Sequence, residues 1–236
     1  VPCETRAIRG RVMSVLRWFL AVFLVMMGAT QALAQSCAIP PRLPEAQAKP
    51  QPMGDVRTGA VSRYTLALSW SPQYCRTRGS NDALQCGRDN RFGFILHGLW
   101  PDGDGRNFLA WCRPAQPVPA AVVRQTFCAT PSVQLQQHEW AKHGTCMTDD
   151  PARYFKAGTA LYNAFRWPDM DGLSRVRPTV GAFKTAFAAA NRGVRQEMFY
   201  IDTSNGGWLE EVKVCLDRDF RPARCPKGTG GAQDRQ

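Results

Sequence analysis

The cysteines constrain this chain most, because nearly all of them lie beyond the N-terminal segment and their number there is even. The chain has 236 residues and nine cysteines. Eight of them follow residue 34, and they are Cys37, Cys75, Cys86, Cys112, Cys128, Cys146, Cys215 and Cys225. An even cysteine count in an exported protein indicates disulfides rather than reactive thiols. The sequence therefore predicts a disulfide-stapled fold if the chain is exported.

The N-terminal segment predicts this export. Arg17 precedes an apolar run over residues 18–27, and an A-x-A sequence follows at residues 32–34. These features are typical of a signal peptide, and the run is too short to span a bilayer. We predict that residues 1–34 are a signal peptide cleaved before Gln35. Met13 is a natural start, which makes residues 1–12 a candidate for a mis-assigned extension. The exported protein is expected in the periplasm or the medium, without a stable membrane anchor.

The rest of the chain has the composition of one domain with short flanking segments. Residues 35–60 are rich in Pro, Ala and Gln, which predicts an extended or disordered leader outside the core. Residues 61–226 have the length of one domain, and residues 227–236 predict a disordered tail. Beyond residue 34 there are 26 Lys and Arg against 18 Asp and Glu, a net charge of +8. This charge favours a polyanionic partner, although a generically basic exported protein would have it too.

Apolar periodicity predicts strands and helices in mixed order. Strands are expected over residues 63–70, 92–96, 197–201 and 207–216. Helices are expected over 119–127, 132–143 and 179–191, with another that begins at Asp150 and Pro151. Residues 73–90 predict a polar loop. The best fold class is α+β, a small mainly antiparallel sheet with flanking helices.

Two short segments concentrate the acid–base chemistry of the chain. Residues 138–146 read H-E-W-A-K-H-G-T-C, and residues 94–101 read F-I-L-H-G-L-W-P. Together they hold all three histidines, the side chains best suited to proton transfer near neutral pH. At about 100° per residue, His138, Glu139, Lys142 and His143 share one side of a helix. A solvated face with i,i+4 pairs would explain any one of these residues alone. Their joint confinement to two segments favours an active site.

A zinc site is the competing interpretation of the helical segment. The motif H-E-x-x-H places two ligands four residues apart, one helical turn. Here the second histidine is five residues on, which turns His143 about 140° away from His138. No other His–Cys cluster of the sequence has metal-ligand spacing. We predict no metal and no cofactor, which leaves a metalloprotease as a distant alternative.

The two segments resemble the active-site motifs of the ribonuclease T2 family, secreted endoribonucleases that need no metal. The resemblance extends to residues 64–75 and loosely to the C-terminal cysteines, and it covers about residues 61–226. It implies a ribonuclease T2-like fold and cleavage of single-stranded RNA by the ribose 2′-OH, which leaves 2′,3′-cyclic phosphate and 5′-OH ends. DNA lacks that hydroxyl, so this chemistry predicts an RNA substrate and no DNA substrate. We also expect a monomer.

The resemblance also implies a role for each polar residue of the motifs. His143 is expected to be the general base and His97 the general acid, although the residues themselves leave the direction open. Lys142 and Glu139 are expected to contact phosphate oxygens in the transition state, and His138 to bind phosphate. A carboxylate beside a phosphorane repels it unless it is protonated or holds a neighbouring cation, so the role of Glu139 needs such an arrangement.

Two further residues are weaker candidates for substrate binding. Trp100 could stack on a base or belong to the core. Asp102 occupies a position that some relatives use for base recognition, but it could be a plain turn residue. The alternative function is that of a secreted cationic protein that binds RNA or a surface without catalysis.

The residues alone allow 105 pairings of eight cysteines. The family pattern implies Cys112–Cys146, which would tie the end of the catalytic helix to the region after His97. Cys75–Cys86 and Cys215–Cys225 are then expected as short loops, and Cys37–Cys128 as the remaining pair.

Overall fold

The computed structural model describes residues 36–48, 50–52, 54–105 and 107–235. The predicted signal peptide and its cleavage site lie outside the described residues. Four strands, Arg63–Trp70 (β1), Phe94–Asp102 (β2), Phe199–Thr203 (β3) and Leu209–Leu216 (β4), form one sheet. The order is β2–β1–β4–β3, and every neighbouring pair is antiparallel.

Seven α-helices occur in the described part of the chain. They are Ser71–Arg78 (α1), Ala83–Cys86 (α2), Ala120–Thr126 (α3), Val133–Lys142 (α4), Pro151–Ala164 (α5), Met170–Val176 (α6) and Val180–Ala190 (α7). Short 3₁₀ turns cover Gly79–Asn81, Gly144–Cys146 and Gln196–Met198. The predicted α+β class, with a small antiparallel sheet and flanking helices, is confirmed.

The sheet has an apolar face and a polar face, because successive side chains of a strand point to opposite sides. The apolar face belongs to the main hydrophobic core, to which α3, α4, α5 and α7 also contribute. Its strand residues are Leu66, Leu68, Phe94, Leu96, Leu99, Phe199, Ile201, Val212, Val214 and Leu216. The intervening residues of β1 and β4 include the polar Thr65, Ser69, Glu211 and Lys213. The polar face positions the site described below.

A β-bulge interrupts the pairing of β1 with β2 at His97. Ala67 pairs with Gly98 and Leu68 pairs with Leu96, so His97 is the extra residue of β2. His97 follows the core residue Leu96, so ordinary alternation turns its side chain to the polar face. The bulge shifts the alternation of the residues that follow, so that Leu99 returns to the core.

The structure corrects three predicted elements. The strand over residues 63–70 ends where it was predicted to end, but a helix follows it directly, because a proline in the first turn of a helix loses no intrahelical hydrogen bond. The predicted loop over residues 73–90 therefore contains α1 and α2. β2 runs on to Asp102 rather than ending at residue 96. Helix α6 was not predicted; it begins after Asp169, whose side chain accepts a hydrogen bond from the Gly172 amide.

Both flanking segments contact the domain, which corrects the expectation of a leader outside the core and a disordered tail. The leader is extended, but Leu43 and Ala46 pack against the main core. In the tail, the Ala232 amide donates to the Ile201 carbonyl over 2.7 Å, and Lys184 pairs with Asp234 at 3.0 Å. Backbone groups at the free edge of β3 thus find partners in the tail, and small apolar leader residues cover the core.

Four disulfides connect the loops and ends of the described chain. They are Cys37–Cys128, Cys75–Cys86, Cys112–Cys146 and Cys215–Cys225. These are the four expected pairs: Cys112–Cys146 from the family pattern, two short loops, and the remaining pair. Cys112–Cys146 ties the 3₁₀ turn after α4 to the segment that follows β2. Among the described residues, no helix combines the length and the apolar character that a membrane span requires.

Candidate active site

His97 lies between two carboxylates on the polar face of the sheet. Its Nδ1 is 2.5 Å from Oε1 of Glu211, and its Nε2 is 3.6 Å from Oε1 of Glu139. The imidazole is 31% exposed, whereas the Glu139 side chain is 3% exposed. The two ring nitrogens therefore face opposite partners, one on β4 and one on α4.

Glu211 is held by three neighbouring groups. Ser69 Oγ donates to its Oε1 over 2.8 Å, on the strand that pairs directly with β4. Lys213 Nζ lies 3.1 Å from its Oε2, and the same ammonium pairs with Asp202. Burial opposes ionisation of the carboxyl, but the His97 hydrogen bond and the charges of His97 and Lys213 lower the pKa of Glu211 to about 2. Glu211 is thus an anion at neutral pH.

The same surroundings favour a protonated His97. Burial of the imidazole lowers its pKa, but the hydrogen bond to Glu211 and the charges of Glu139 and Glu211 outweigh this effect. The net result is a pKa for His97 above its usual 6.5.

Helix α4 presents Glu139 to this imidazole. Ser132 caps the helix by accepting a hydrogen bond from the Leu135 amide, and the helix ends at Lys142. The Glu139 carboxylate accepts a 2.7 Å hydrogen bond from Trp100 Nε1. Burial raises the pKa of Glu139, against the opposing influence of His97 and Trp100. Glu139 is therefore a fixed carboxyl group with one oxygen committed to Trp100 and the other facing His97.

His143 lies just past the end of α4 and has the opposite protonation tendency from His97. The residue is 4% exposed, and its ring stacks against the Trp100 indole with the centroids 5.4 Å apart. Burial lowers the pKa of His143 well below 6.5, and the charges of Lys142, His138 and His97 act in the same direction. His143 is therefore neutral at a pH at which His97 is protonated.

Lys142 and His138, the other two polar residues of the helical motif, lie beside aromatic rings. Lys142 is half-buried, and its Nζ is 6.0 Å from the centroid of the Phe108 ring. His138 meets the Trp111 ring edge-on at a centroid distance of 5.5 Å. Its charge is nevertheless close enough to depress the pKa of His143. Glu139 and His138 are predicted to share one side of the helix, but Glu139 faces His97 and His138 faces Trp111.

A cleft of about 380 Å³ opens beside His143 on the polar face. The residues that line it are Arg63, Thr65, Trp100, Asp102, Phe108, Lys142, His143, Tyr200, Cys215, Pro226, Thr229 and Gly230. Both weaker candidates, Trp100 and Asp102, are among them. Asp102 accepts a 2.8 Å hydrogen bond from Thr65 Oγ1, and burial raises the pKa of its carboxyl. The tail residues 226–230 form one wall of this cleft.

Sequence reasoning did not find the groups behind His97 or the aromatic walls of the cleft. The first set is Ser69, Glu211 and Lys213, and the second is Phe108 and Tyr200. A signal existed for β4, where Glu211 and Lys213 alternate with Val212 and Val214 and must share the polar face. Nothing in the sequence places them opposite His97, because strand register joins residues more than a hundred positions apart.

Within the described ranges, no group of three or more His, Cys, Asp or Glu residues is arranged to hold a metal ion. The groups near the two imidazoles are instead two carboxyls, an indole and two ammonium groups. This arrangement can transfer protons and stabilise negative charge.

The two motifs and the strands around them match the family description "Ribonuclease T2 family" over residues 61–225. This protein belongs to the ribonuclease T2 family. The match begins at β1 and ends at the last cysteine, so it includes the whole sheet, α4 and the cleft residues up to Cys215.

Two bacterial members of the ribonuclease T2 family are similar in sequence. A "Probable ribonuclease" of Haemophilus influenzae is 32% identical over 192 residues, which are 73% of this chain and 64% of that protein. A "Ribonuclease" of Aeromonas hydrophila is 32% identical over 168 residues, 68% of this chain and 74% of that protein. The chain thus spans somewhat less than two thirds of the Haemophilus protein.

Solved structures of the family share the fold. An RNase-related protein from Calystegia sepium has a TM-score of 0.59 at 23% identity, covering 75% of this chain and 96% of that one. RNase NT in complex with 5′-AMP has a TM-score of 0.55 at 21% identity, covering 74% and 95%. The fold is therefore that of the ribonuclease T2 family.

Proposed function

We propose that this protein is an endoribonuclease that cleaves single-stranded RNA without a metal ion. The observation that supports this most directly is the pair of imidazoles with opposite protonation tendencies, His97 and His143, on either side of Trp100. Their ring centroids lie 5.3 and 5.4 Å from that of the indole. Transfer of the phosphate to the ribose 2′-OH needs one base and one acid at the same pH, and this pair supplies both.

His143 is the general base of the proposed reaction, and His97 is the general acid. A base must be unprotonated before the reaction, which a lowered pKa favours; an acid must be protonated, which a raised pKa favours. His143 would take the proton of the 2′-OH, and His97 would protonate the departing 5′-oxygen. The residues alone leave open which histidine is the base and which is the acid, and the surroundings of the two rings support this assignment.

Glu139 and Lys142 stabilise the developing charge in this proposal, and His138 binds phosphate. The difficulty of a carboxylate next to a phosphorane is eased in two ways. Glu139 faces the His97 cation, and burial raises the pKa of its own carboxyl. Lys142 lines the cleft and adds positive charge where the phosphorane oxygens would lie.

The cleft is the proposed site for a base. Trp100 is enclosed by His97, His143 and Lys213, whose Nζ is 5.3 Å from its ring centroid, so its main proposed role is to hold Glu139. Its remaining surface, with Phe108 and Tyr200, offers aromatic walls for a base. Asp102 is positioned to accept or donate a hydrogen bond at the base edge.

We propose that the protein is a monomer exported to the periplasm or the medium, with residues 1–34 as its signal peptide. Four disulfides support an oxidising compartment, because such bonds rarely persist in a reducing cytosol.

The test is digestion of a short RNA, and of the same RNA with 2′-O-methyl riboses, in excess EDTA, with the products resolved by mass. We expect cyclic-phosphate and 5′-OH ends from the unmodified RNA and no cleavage of the methylated one. His97→Ala and His143→Ala should each lower kcat by roughly 10²–10⁴-fold. Gln134→Ala, an exposed change on the same helix as Glu139, is the matched control.

Two results would contradict the proposal. Loss of activity in EDTA would indicate a metal-dependent reaction. RNA binding without any cleavage would favour the alternative, a secreted cationic protein that binds RNA or a surface.

A further inference from the structure

Glu211 has no assigned part in the reaction, although it makes the shortest polar contact of His97. Its side chain is only 12% exposed and lies on the side of the imidazole away from Glu139. We propose that Glu211 is a positioning residue that fixes the orientation and tautomer of His97, so that Nδ1 donates to the sheet and Nε2 faces the substrate. This inference rests on the proposed function.

The geometry leaves the imidazole one orientation. The Nδ1 to Oε1 distance is 2.5 Å, and Nε2 is left to face Glu139 of α4, on the side where the proposed reaction would place the phosphate. Glu211 cannot easily turn away, because Ser69 Oγ holds the same oxygen and Lys213 holds the other. Register fixes this set, since Ser69 is directly opposite Glu211 in the β1–β4 pair. Three strands thus position one imidazole.

The charges around His97 come from two elements. Strand β4 supplies the Glu211 carboxylate and, behind it, the Lys213 ammonium, while α4 supplies Glu139 and His143. Strand β1 contributes the neutral Ser69 hydroxyl. Asp202 of β3 pairs with Lys213, so that Lys213 does not need Glu211 for neutralisation. Glu211 is therefore the one of these groups whose negative charge bears directly on Nδ1.

A purely structural role would be to bury a Lys213–Glu211 ion pair. It can be separated from a positioning role by pH dependence. In the wild type, kcat/KM should fall as the pH drops through the pKa of His143, which lies well below 6.5, and as the pH rises through the pKa of His97, which lies above 6.5. Only the alkaline limb depends on His97.

The decisive variant is Glu211→Gln, with Glu210→Gln as the matched control. Glutamine can still accept a hydrogen bond from Nδ1, but it has no charge, so the pKa of His97 should fall and the alkaline limb should move to lower pH. We expect kcat at pH 7.5 to drop roughly ten- to a hundredfold with little change in KM, and the deficit to shrink as the pH is lowered. Glu210 is exposed on the same strand, and its variant should match the wild type.

Leaving-group chemistry gives a second readout. A uridine 3′-phosphodiester with 4-nitrophenolate as the leaving group needs no proton from an acid. Glu211→Gln and His97→Ala should therefore be nearly as fast as the wild type on this substrate, while both are slow on RNA. A merely destabilised protein would be slow on both.

NMR titration of the imidazoles tests the inference apart from activity. The chain has three histidines, so the His97 resonance can be assigned with His97→Ala. A pKa of His97 that is lower in Glu211→Gln than in the wild type and in Glu210→Gln supports the inference. An unchanged pKa and alkaline limb in Glu211→Gln would overturn it, even if the wild type cleaves RNA. A wild type without cleavage would overturn the proposed function while leaving this titration interpretable.

Discussion

Gly98 occupies the space that the Glu139 carboxylate needs. A Cβ at this position would overlap Oε2 of Glu139 and would lie 2.7 Å from Trp100 Nε1. The carboxyl group is almost completely buried, so it has little room to yield without losing its hydrogen bond to Trp100. A residue without a side chain is therefore required directly after His97.

We expect Gly98→Ala to lower kcat roughly ten- to a hundredfold, because displacement of Glu139 moves the groups around His97. Gly103→Ala, just beyond the same strand, is a suitable control, since its Cβ would make an ordinary 3.4 Å contact with Leu109. Single-turnover cleavage of RNA and thermal unfolding measure the two effects. Equal activity of both variants would mean that the position of Glu139 is not important for the reaction.

At the scale of elements, the end of α4 is anchored at the point where Lys142 and His143 lie. Cys146 is bonded to Cys112 three residues after His143, and the Trp111 amide donates to the Lys142 carbonyl over 2.7 Å. The chain segment after β2 thus holds the end of the helix from two sides. This anchoring links the stability of the domain to the placement of Lys142 and His143.

Replacement of Cys112 and Cys146 by alanine should lower the free energy of unfolding by about 2–4 kcal/mol, because the unfolded chain regains the entropy of an open loop. Activity per folded molecule should fall as well. Removal of Cys75–Cys86, which connects α1 and α2, is the comparison: it should cost stability but leave kcat/KM unchanged. Urea unfolding and RNA cleavage measure both quantities. Identical kcat/KM in the two double variants would contradict the anchoring role.

Local signals predict most of the elements, and long-range pairing accounts for the site residues that they miss. Helix α4 lies within a residue of its predicted ends, because its apolar spacing is local. Helix α1 was missed because Pro72 indicates a break as readily as a helix start. Among the site residues, His97 and Glu139 stand out in the sequence, whereas Glu211 becomes recognisable only when register places it against His97.

At the scale of the whole molecule, excess positive charge should draw RNA toward the cleft. Beyond residue 34 the net charge is +8, and Arg63 and Lys142 line the cleft itself. We expect kcat/KM for a long single-stranded RNA to fall steeply as KCl rises, because bound phosphates release counterions and salt screens the attraction. A dinucleotide with one phosphate should show a much shallower dependence. Equal slopes for the two substrates would mean that contact is confined to a single phosphate.

The residue inserted at His97 also sets the parity of β2. Before the bulge the even-numbered Phe94 and Leu96 belong to the core; after it, the odd-numbered Leu99 does, while Trp100 lines the cleft. If this sequence paired with β1 without the bulge, every side chain after His97 would turn over, placing Trp100 in the core and Leu99 in the cleft. The bulge therefore decides which residues after His97 face the core and which face the cleft. In its relatives, the length of this segment should vary less than the lengths of the loops on either side.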